Sequence, residues 1–388
     1  MSNFPVLTRD FSCALDVSEH EKYVKGLLAK AVDTHLLPGG VYGAVTPKGS
    51  VLIPFGSQTY DPGSPVVTEK NFFDVASVTK SIPTSILILR LIDQGIICHK
   101  GFDEPVSMYL PELSGQYSEM LTIGHLLSFA FELNLTERLE KLGELEEIEQ
   151  AIMTAGLVRP PGFFHYANTT SFIAMRLIES LYKTSYEDAA RRFVFEPLGL
   201  DGGFLSGKMS LSNVSPSENG VDGLIHGVVH DEFSRHIFRV SKKQSGAAGL
   251  FLNGDDGIKI LRSFCGAKFP SILGQYENLF GVSRFGANGF MGEIRKNQLN
   301  DPSHRYGLGF DILDRSYGPC GHCTDKTMLI TGFTGCHLML QPSRGVGMFL
   351  FSNATFPKRH HRSEGKSPIF ELRRAIFHSL QVCKHCFE

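Results

Sequence analysis

Neither sign of charge prevails in this sequence: 38 Lys and Arg stand against 40 Asp and Glu, a formal net charge of −2. No global field therefore draws the chain to nucleic acid or to acidic membrane surfaces. The N-terminal stretch carries Asp10, Asp16, Glu19 and Glu21 and lacks an apolar run behind a basic start, which is not the pattern of a secretory signal. Unbroken hydrophobic runs are missing as well. Residues 75–97, the longest apolar stretch, are interrupted by Lys80, Arg90 and Asp93 and punctuated by Pro83 and Gly95, so they read as a buried helix rather than a membrane span. Together these absences set the expectation of a cytoplasmic chain with neither nucleic acid nor membrane as a partner. There is no internal repeat and no low-complexity linker.

What is present is the balance of a globular protein: 388 residues, 42% hydrophobic and 20% charged, enough to bury a large core in two or three units or one large two-part domain. Forty Gly and 19 Pro spread along the chain predict many tight connections rather than a helical bundle. Residues 40–56 read as two short strands around a Pro-Lys-Gly turn. Residues 136–155 are amphipathic and acidic, a solvated helix face, and helical periodicity returns at 171–195, near 255–265 and at 367–382. From Tyr306 the character changes: 306–313, 328–340 and 345–353 are short apolar and aromatic runs separated by Gly, Pro and Asp. Strands at both ends with helices between them predict an α/β (α+β) fold. One sheet is assembled from residues 1–75 and 306–388, and residues 76–305 form a mostly helical subdomain that carries the active-site loops. The basic cluster Lys358, Arg359, His360, His361 and Arg362 reads as an exposed loop.

Eight cysteines include two short pairs, Cys320-Gly-His-Cys323 and Cys383-Lys-His-Cys386. Their four thiolates could hold one structural zinc that ties the C-terminus to a loop. The separation of the pairs far exceeds that of a zinc ribbon, and free thiols in a reducing compartment are the alternative.

Several catalytic templates are missing: GxSxG, HExxH, a P-loop, and GxGxxG between a strand and a helix. A different arrangement places a Ser and a Lys one helical turn apart, where a neutral amine can take the hydroxyl proton. Three such SxxK pairs occur: Ser77–Lys80, Ser180–Lys183 and Ser363–Lys366. Ser180 falls inside an amphipathic helix, where its hydroxyl would bond the preceding turn. Ser363 falls in a charged loop. Ser77 stands where Phe72, Phe73, Val75 and Ala76 lead into the apolar helix, so Lys80 is a lone cation in an apolar setting. Desolvation there disfavours its charged form, as a lysine base requires. The alternative for Lys80 is a side chain that snorkels out of the helix start.

On these residues the sequence resembles the SxxK acyl-serine superfamily of serine β-lactamases, penicillin-binding DD-peptidases and related esterases. Phe73-Asp74-Val75-Ala76-Ser77-Val78-Thr79-Lys80 is similar to the first motif of its class C-like branch. Pro161-Gly162-Phe163-Phe164-His165-Tyr166-Ala167-Asn168 is similar to that branch's Tyr-x-Asn motif with its preceding Pro-Gly. A second Tyr-x-Asn, at 276–278, has no Pro-Gly before it. Phe195-Glu196-Pro197-Leu198-Gly199-Leu200, Tyr306-Gly307-Leu308-Gly309 and Thr331-Gly332-Phe333-Thr334-Gly335 match further landmarks in order. The resemblance implies a β-lactamase-like fold with an antiparallel sheet flanked by helices. It also implies Ser77 as nucleophile, Lys80 sharing its proton and Tyr166 as second base, with its phenolate favoured by the lysine. Asn168 would hold Lys80 or donate to a substrate amide. Thr331 and Gly332 would lie on the edge strand beside the substrate, and the N–H of Phe333 would join that of Ser77 in an oxyanion hole. No cofactor is required for such catalysis.

The sequence departs from the family pattern in two places. The third motif normally opens with Lys or His, and here that position is Ile330, which removes a cation that helps receive a substrate carboxylate. The family's His-Leu-Leu helix, normally followed by Thr-His-Thr-Ser-Gly, continues here as His125-Leu126-Leu127-Ser128-Phe129-Ala130-Phe131, so the next loop is remodelled. Pro83 should also kink the Ser77 helix. His226-Gly-Val-Val-His230-Asp231 invites a metal reading but reads better as a pocket-lining loop held by local hydrogen bonds. The leading function is a serine hydrolase acting through an acyl-enzyme on a small ester, amide, D-amino-acid peptide or muropeptide fragment. An acyltransferase would use the same serine. A binding protein that keeps the fold with weak or no catalysis is the second class, and a zinc hydrolase ranks last.

Overall fold

The computed structural model describes residues 17–97, 100–205, 209–265, 299, 306–307, 309–312, 327–342, 345–359 and 368–381. Both Cys-x-x-Cys pairs, the Ser363–Lys366 pair and the second Tyr-x-Asn lie outside the described residues.

Among the described residues a seven-stranded sheet forms from the two ends of the chain. Its spatial order is Gly49–Gly56, Gly39–Thr46, Val346–Ser352, His337–Gln341, Met328–Thr331, Phe310–Ile312 and Tyr306–Gly307, and each neighbouring pair is antiparallel. The first hairpin turns over Pro47 and Lys48, as the turn residues dictate, and Gly39↔Gly56 to Thr46↔Gly49 set its register. Strand side chains alternate faces, and here both faces are buried. Tyr42, Ala44, Ile53, Leu329, Met339, Met348 and Leu350 pack with Leu28 and Ile376 from the helices Val17–Asp33 and Pro368–Gln381. Val41, Val45, Ile330, Leu338, Leu340, Phe349 and Phe351 face the larger core of helices.

The helix Gly254–Cys265 lies against that second face. A Cβ placed on Gly43 or Gly257 would fall 2.3 Å from the Phe349 ring, so the two glycines form the slot that the ring fills. The expected 136–155 helix is shorter, Leu145–Thr154, and starts where Glu144 and Glu147 form a reciprocal cap. The 171–195 helix is also divided. Asn168–Tyr182 ends at left-handed Lys183, and Ser185 then caps Tyr186–Ala190 by accepting the Asp188 N–H. Pro83 acts as expected: Ile82, restricted by the proline that follows, leaves helical dihedrals (φ −129°, ψ 112°), and the regular helix resumes at Ile86–Asp93. Among the described residues no helix is long and apolar enough to cross a membrane.

Candidate active site

The strand Phe73–Asp74 pairs with Leu250–Leu252 and delivers the chain to Ser77 through a sharp turn. Ala76 sits at φ +47°, a left-handed conformation unusual for a residue with a Cβ. The turn is held from within: Asp74 Oδ1 accepts the Ala76 N–H at 2.8 Å. Successive bonds Val78 N–H to Val75 O, Thr79 N–H to Ala76 O and Lys80 N–H to Ser77 O then close a tight helical start. That geometry puts the side chains of Ser77 and Lys80 on one face.

Lys80 does not snorkel. Its residue is 2% exposed, and its Nζ donates to Ser77 Oγ at 3.0 Å and to the Ala247 carbonyl at 2.9 Å. Ser77 itself is half-buried, and its N–H donates to no protein group among the described residues. The Lys80 Nζ lies 5.1 Å from the centre of the Tyr166 ring. Tyr166 is 42% exposed, and its ring stacks on Phe129 at 4.8 Å. Phe129 belongs to the remodelled loop after the helix Ile123–Ser128. Its left-handed backbone (φ +56°) ends that helix and turns the ring toward Tyr166 and, edge-on at 5.3 Å, toward Tyr306. Burial, together with neighbouring Tyr166, pushes the Tyr306 phenol well above its ordinary value, so Tyr306 is a neutral wall.

Across from the turn, the strand Met328–Thr331 ends against it. A Cβ on Gly332 would lie 2.4 Å from the Val75 carbonyl oxygen, so only glycine allows this approach. Thr334 Oγ1 donates to the Asp74 carbonyl at 2.7 Å, and the Gly332 N–H donates to the Cys336 carbonyl at 2.7 Å. The result places exposed Thr331, Gly332 and half-exposed Phe333 along the strand end that meets the Ser77 turn. Ile330 faces the large core and is 4% exposed, so this position offers the cleft no cation.

Asn168 does not meet Lys80. Its Nδ2 donates to Asp231 Oδ2 at 2.9 Å, because Asp231 caps the helix Glu232–Ser241 with Oδ1 and leaves its other oxygen to the amide. The lysine takes the Ala247 carbonyl instead. That acceptor is backbone and could be signalled only by the small-residue run around it: Gly246 (φ +74°) and Gly249 (φ +112°) bracket Ala247 and Ala248. The His226 stretch is bonded locally, His226 Nε2 to the carbonyls of Leu211 (3.0 Å) and Val214 (2.8 Å), and His230 Nε2 to Glu218 (2.9 Å). A cavity of about 290 Å³ lies beside the Tyr166 turn, lined by Phe131, Leu133, Leu135, Phe233, Ala167 and Asn168 among others.

A family model described as Beta-lactamase matches residues 24–367. No curated protein sequence matches the chain. Solved structures do. A mutant class C β-lactamase superposes with a TM-score of 0.71 at 15% identity, covering 95% of this chain and 98% of that one. EstCE1, a hydrolase with promiscuous acyltransferase activity, gives 0.67 at 18% identity over 92% and 98%. The octameric penicillin-binding protein homologue from Pyrococcus abyssi gives 0.65 at 18% identity over 94% and 77%. With the two-ended antiparallel sheet and the helices that cover it, these matches place the chain in the Beta-lactamase family, with a β-lactamase-like fold.

Proposed function

We propose that this protein is a serine hydrolase that works through an acyl-enzyme. The observation that carries the reading is the buried Lys80 amine bonded to Ser77 Oγ at 3.0 Å. Ser77 Oγ attacks an ester or amide carbonyl while its proton passes to the amine, and the carbonyl oxygen gains charge beside the N–H groups of Ser77 and Phe333. Expulsion of the alcohol or amine, with the proton returned to it, leaves the acyl group on Ser77. Tyr166, its ring 5.1 Å from the Lys80 Nζ, takes the proton of the water that attacks the acyl-enzyme and returns it to Ser77 Oγ as the acid is released. Thr331 and Gly332 line the substrate along the strand end, and Asn168, tied to Asp231, fixes the Tyr166 turn.

The substrate class is a small ester or amide without an essential carboxylate, because apolar Ile330 stands where the family has a cation. Transfer of the acyl group to an alcohol uses the same steps with the alcohol in place of water. EstCE1 carries both activities in its description, and product analysis with and without added alcohol separates them. Intact mass spectrometry after a fluorophosphonate and after a penicillin, on the native protein and Ser77→Ala, tests the reading. A fluorophosphonate adduct that Ser77→Ala loses is the expected result, with the penicillin adduct weak or absent. No adduct with either reagent overturns the hydrolase in favour of a binding protein.

A further inference from the structure

Behind the Ser77 turn runs a buried polar chain that the reaction above does not use directly. Arg359 clamps Glu218: Nη2 donates to Oε2 at 2.6 Å, Nε to Oε1 at 2.9 Å, and the Arg359 backbone N–H to Oε1 at 3.0 Å. Nη1 meets Glu232 at 2.7 Å. Two carboxylates thus occupy the guanidinium, which makes it a structural charge rather than a receptor for substrate. Burial alone would raise the Glu218 carboxyl, but the Arg359 bonds and the His230 bond outweigh it and hold the group at about 2. An ionised Glu218 only accepts, so His230 Nε2, at 2.9 Å, carries the proton.

His230 is 1% exposed and reaches the site in two directions. Its backbone N–H donates to Asp74 Oδ2 at 2.7 Å, and the other oxygen of Asp74 holds the Ala76 N–H that precedes Ser77. Its ring stacks on Phe333, centroids 5.6 Å apart and planes 25° from parallel. The Arg359 guanidinium lies 5.4 Å from the same Phe333 ring. A left-handed Ala76 persists only where its surroundings over-determine it, and His230 and Arg359 both pack against the ring of a Phe333 that is 45% exposed.

From this geometry we infer that Arg359, Glu218 and His230 are positioning residues that fix both oxyanion donors at once. The Ser77 N–H is aimed through Asp74 and Ala76, and the Phe333 N–H through the packing of its ring. The inference rests on the acyl-serine reading for its catalytic meaning, but the tether it describes is measurable in the absence of turnover.

The test uses the full-length protein with Glu218→Gln, Arg359→Ala and Arg359→Lys. It reads amide hydrogen exchange in peptides covering 72–79 and 331–335, and kcat and KM on p-nitrophenyl acetate. Expected are about tenfold faster exchange in both peptides and a kcat lower by about 10- to 100-fold, below the loss from deleting an oxyanion donor outright. KM stays within about twofold, since the guanidinium does not bind substrate. Added guanidinium restores part of the kcat of Arg359→Ala, because the side chain is partly exposed. Unchanged exchange and kcat in Glu218→Gln and Arg359→Ala overturn the inference. So does a kcat loss that follows the folded fraction, with the strand Val346–Ser352 exchanging faster too. Should Glu218→Gln fail to fold, Arg359→Lys, which keeps the charge and loses the fork, carries the same readouts. Faster exchange confined to the two peptides, in a protein that hydrolyses no ester, keeps the tether and overturns the hydrolase instead.

Discussion

The structure contains the Ser-x-x-Lys pattern twice among its described residues, and the two copies have opposite fates. At Ser77 the pattern opens a helix beneath the end of the sheet, where the lysine is buried and donates to the serine. At Ser180 it closes one: Ser180 Oγ donates to the Tyr109 carbonyl at 3.1 Å, and Lys183, left-handed (φ +54°) and exposed, ends the helix Asn168–Tyr182. Spacing makes contact between such residues feasible, and the position along the helix decides whether it happens. A lysine in the first turn points into packed chain, whereas one at a left-handed end turns out to solvent.

The sharpest break in this comparison comes from the two serines. Ser77→Ala should cut ester hydrolysis on the order of 10⁴-fold or more and remove the fluorophosphonate adduct, while Ser180→Ala leaves both at the native level. Steady-state rates and intact mass decide it, and equal loss in both variants would end the distinction. Next come the lysines. Lys80→Met should lower kcat by about 10²- to 10⁴-fold with little change in Tm, since an apolar chain of similar length fills the same buried site. Lys183→Met should change kcat by less than about twofold.

Of the two described copies, the one at Ser77 faces the end of a strand. Gly332→Ala, which pushes a Cβ into the Val75 carbonyl, should therefore cost about 100-fold in kcat, and the Ser180 region has no equivalent. A titration separates activity from scaffold. His20, bonded to Tyr42 at 2.9 Å and Ser379 at 3.0 Å, is held down to about 4 by burial, against an ordinary 6.5, with Glu21 opposing the shift. A depressed folded value means that stability is complete above about 6.5 and is lost as pH falls through 4, about 3 kcal/mol in all. Thermal melts across that window should show the slope in the native protein and lose most of it in His20→Gln. The smallest effect is the stability cost of Ser180→Ala, about 1 kcal/mol for its single bond to Tyr109, measured by urea unfolding.

Much of the scaffold was legible because its signals are local. The hairpin Gly39–Gly56 follows from turn residues and alternation, and Lys80 stood out as one cation in an apolar run. Pro83 announced the irregular turn through its missing N–H. The Leu145–Thr154 helix is shorter than the periodicity predicts, because the acidic pattern continues through residues 136–144 without a cap to start a helix there. The motif offers Asn168 either Lys80 or a substrate amide as partner, and its bond to Asp231, which depends on a helix cap distant in sequence, is not legible there. Asp74, His230 and Arg359 each stand in a stretch the sequence singles out, but their link through Glu218 is not legible, since nothing local joins them until folding brings them together. Arg359 in particular reads as part of an exposed basic loop, yet its guanidinium is committed to Glu218 and Glu232.

The strand Gly39–Thr46 finds its second partner in Val346–Ser352, close to the far end of the sequence. During synthesis the sheet stays open on that side until residue 352 has left the ribosome. Until then the hydroxyl at 77 has no strand end facing it. A nascent polypeptide arrested near residue 340 should accordingly be cut readily by protease and ignore fluorophosphonate, and gain both resistance and the adduct once residue 352 has emerged.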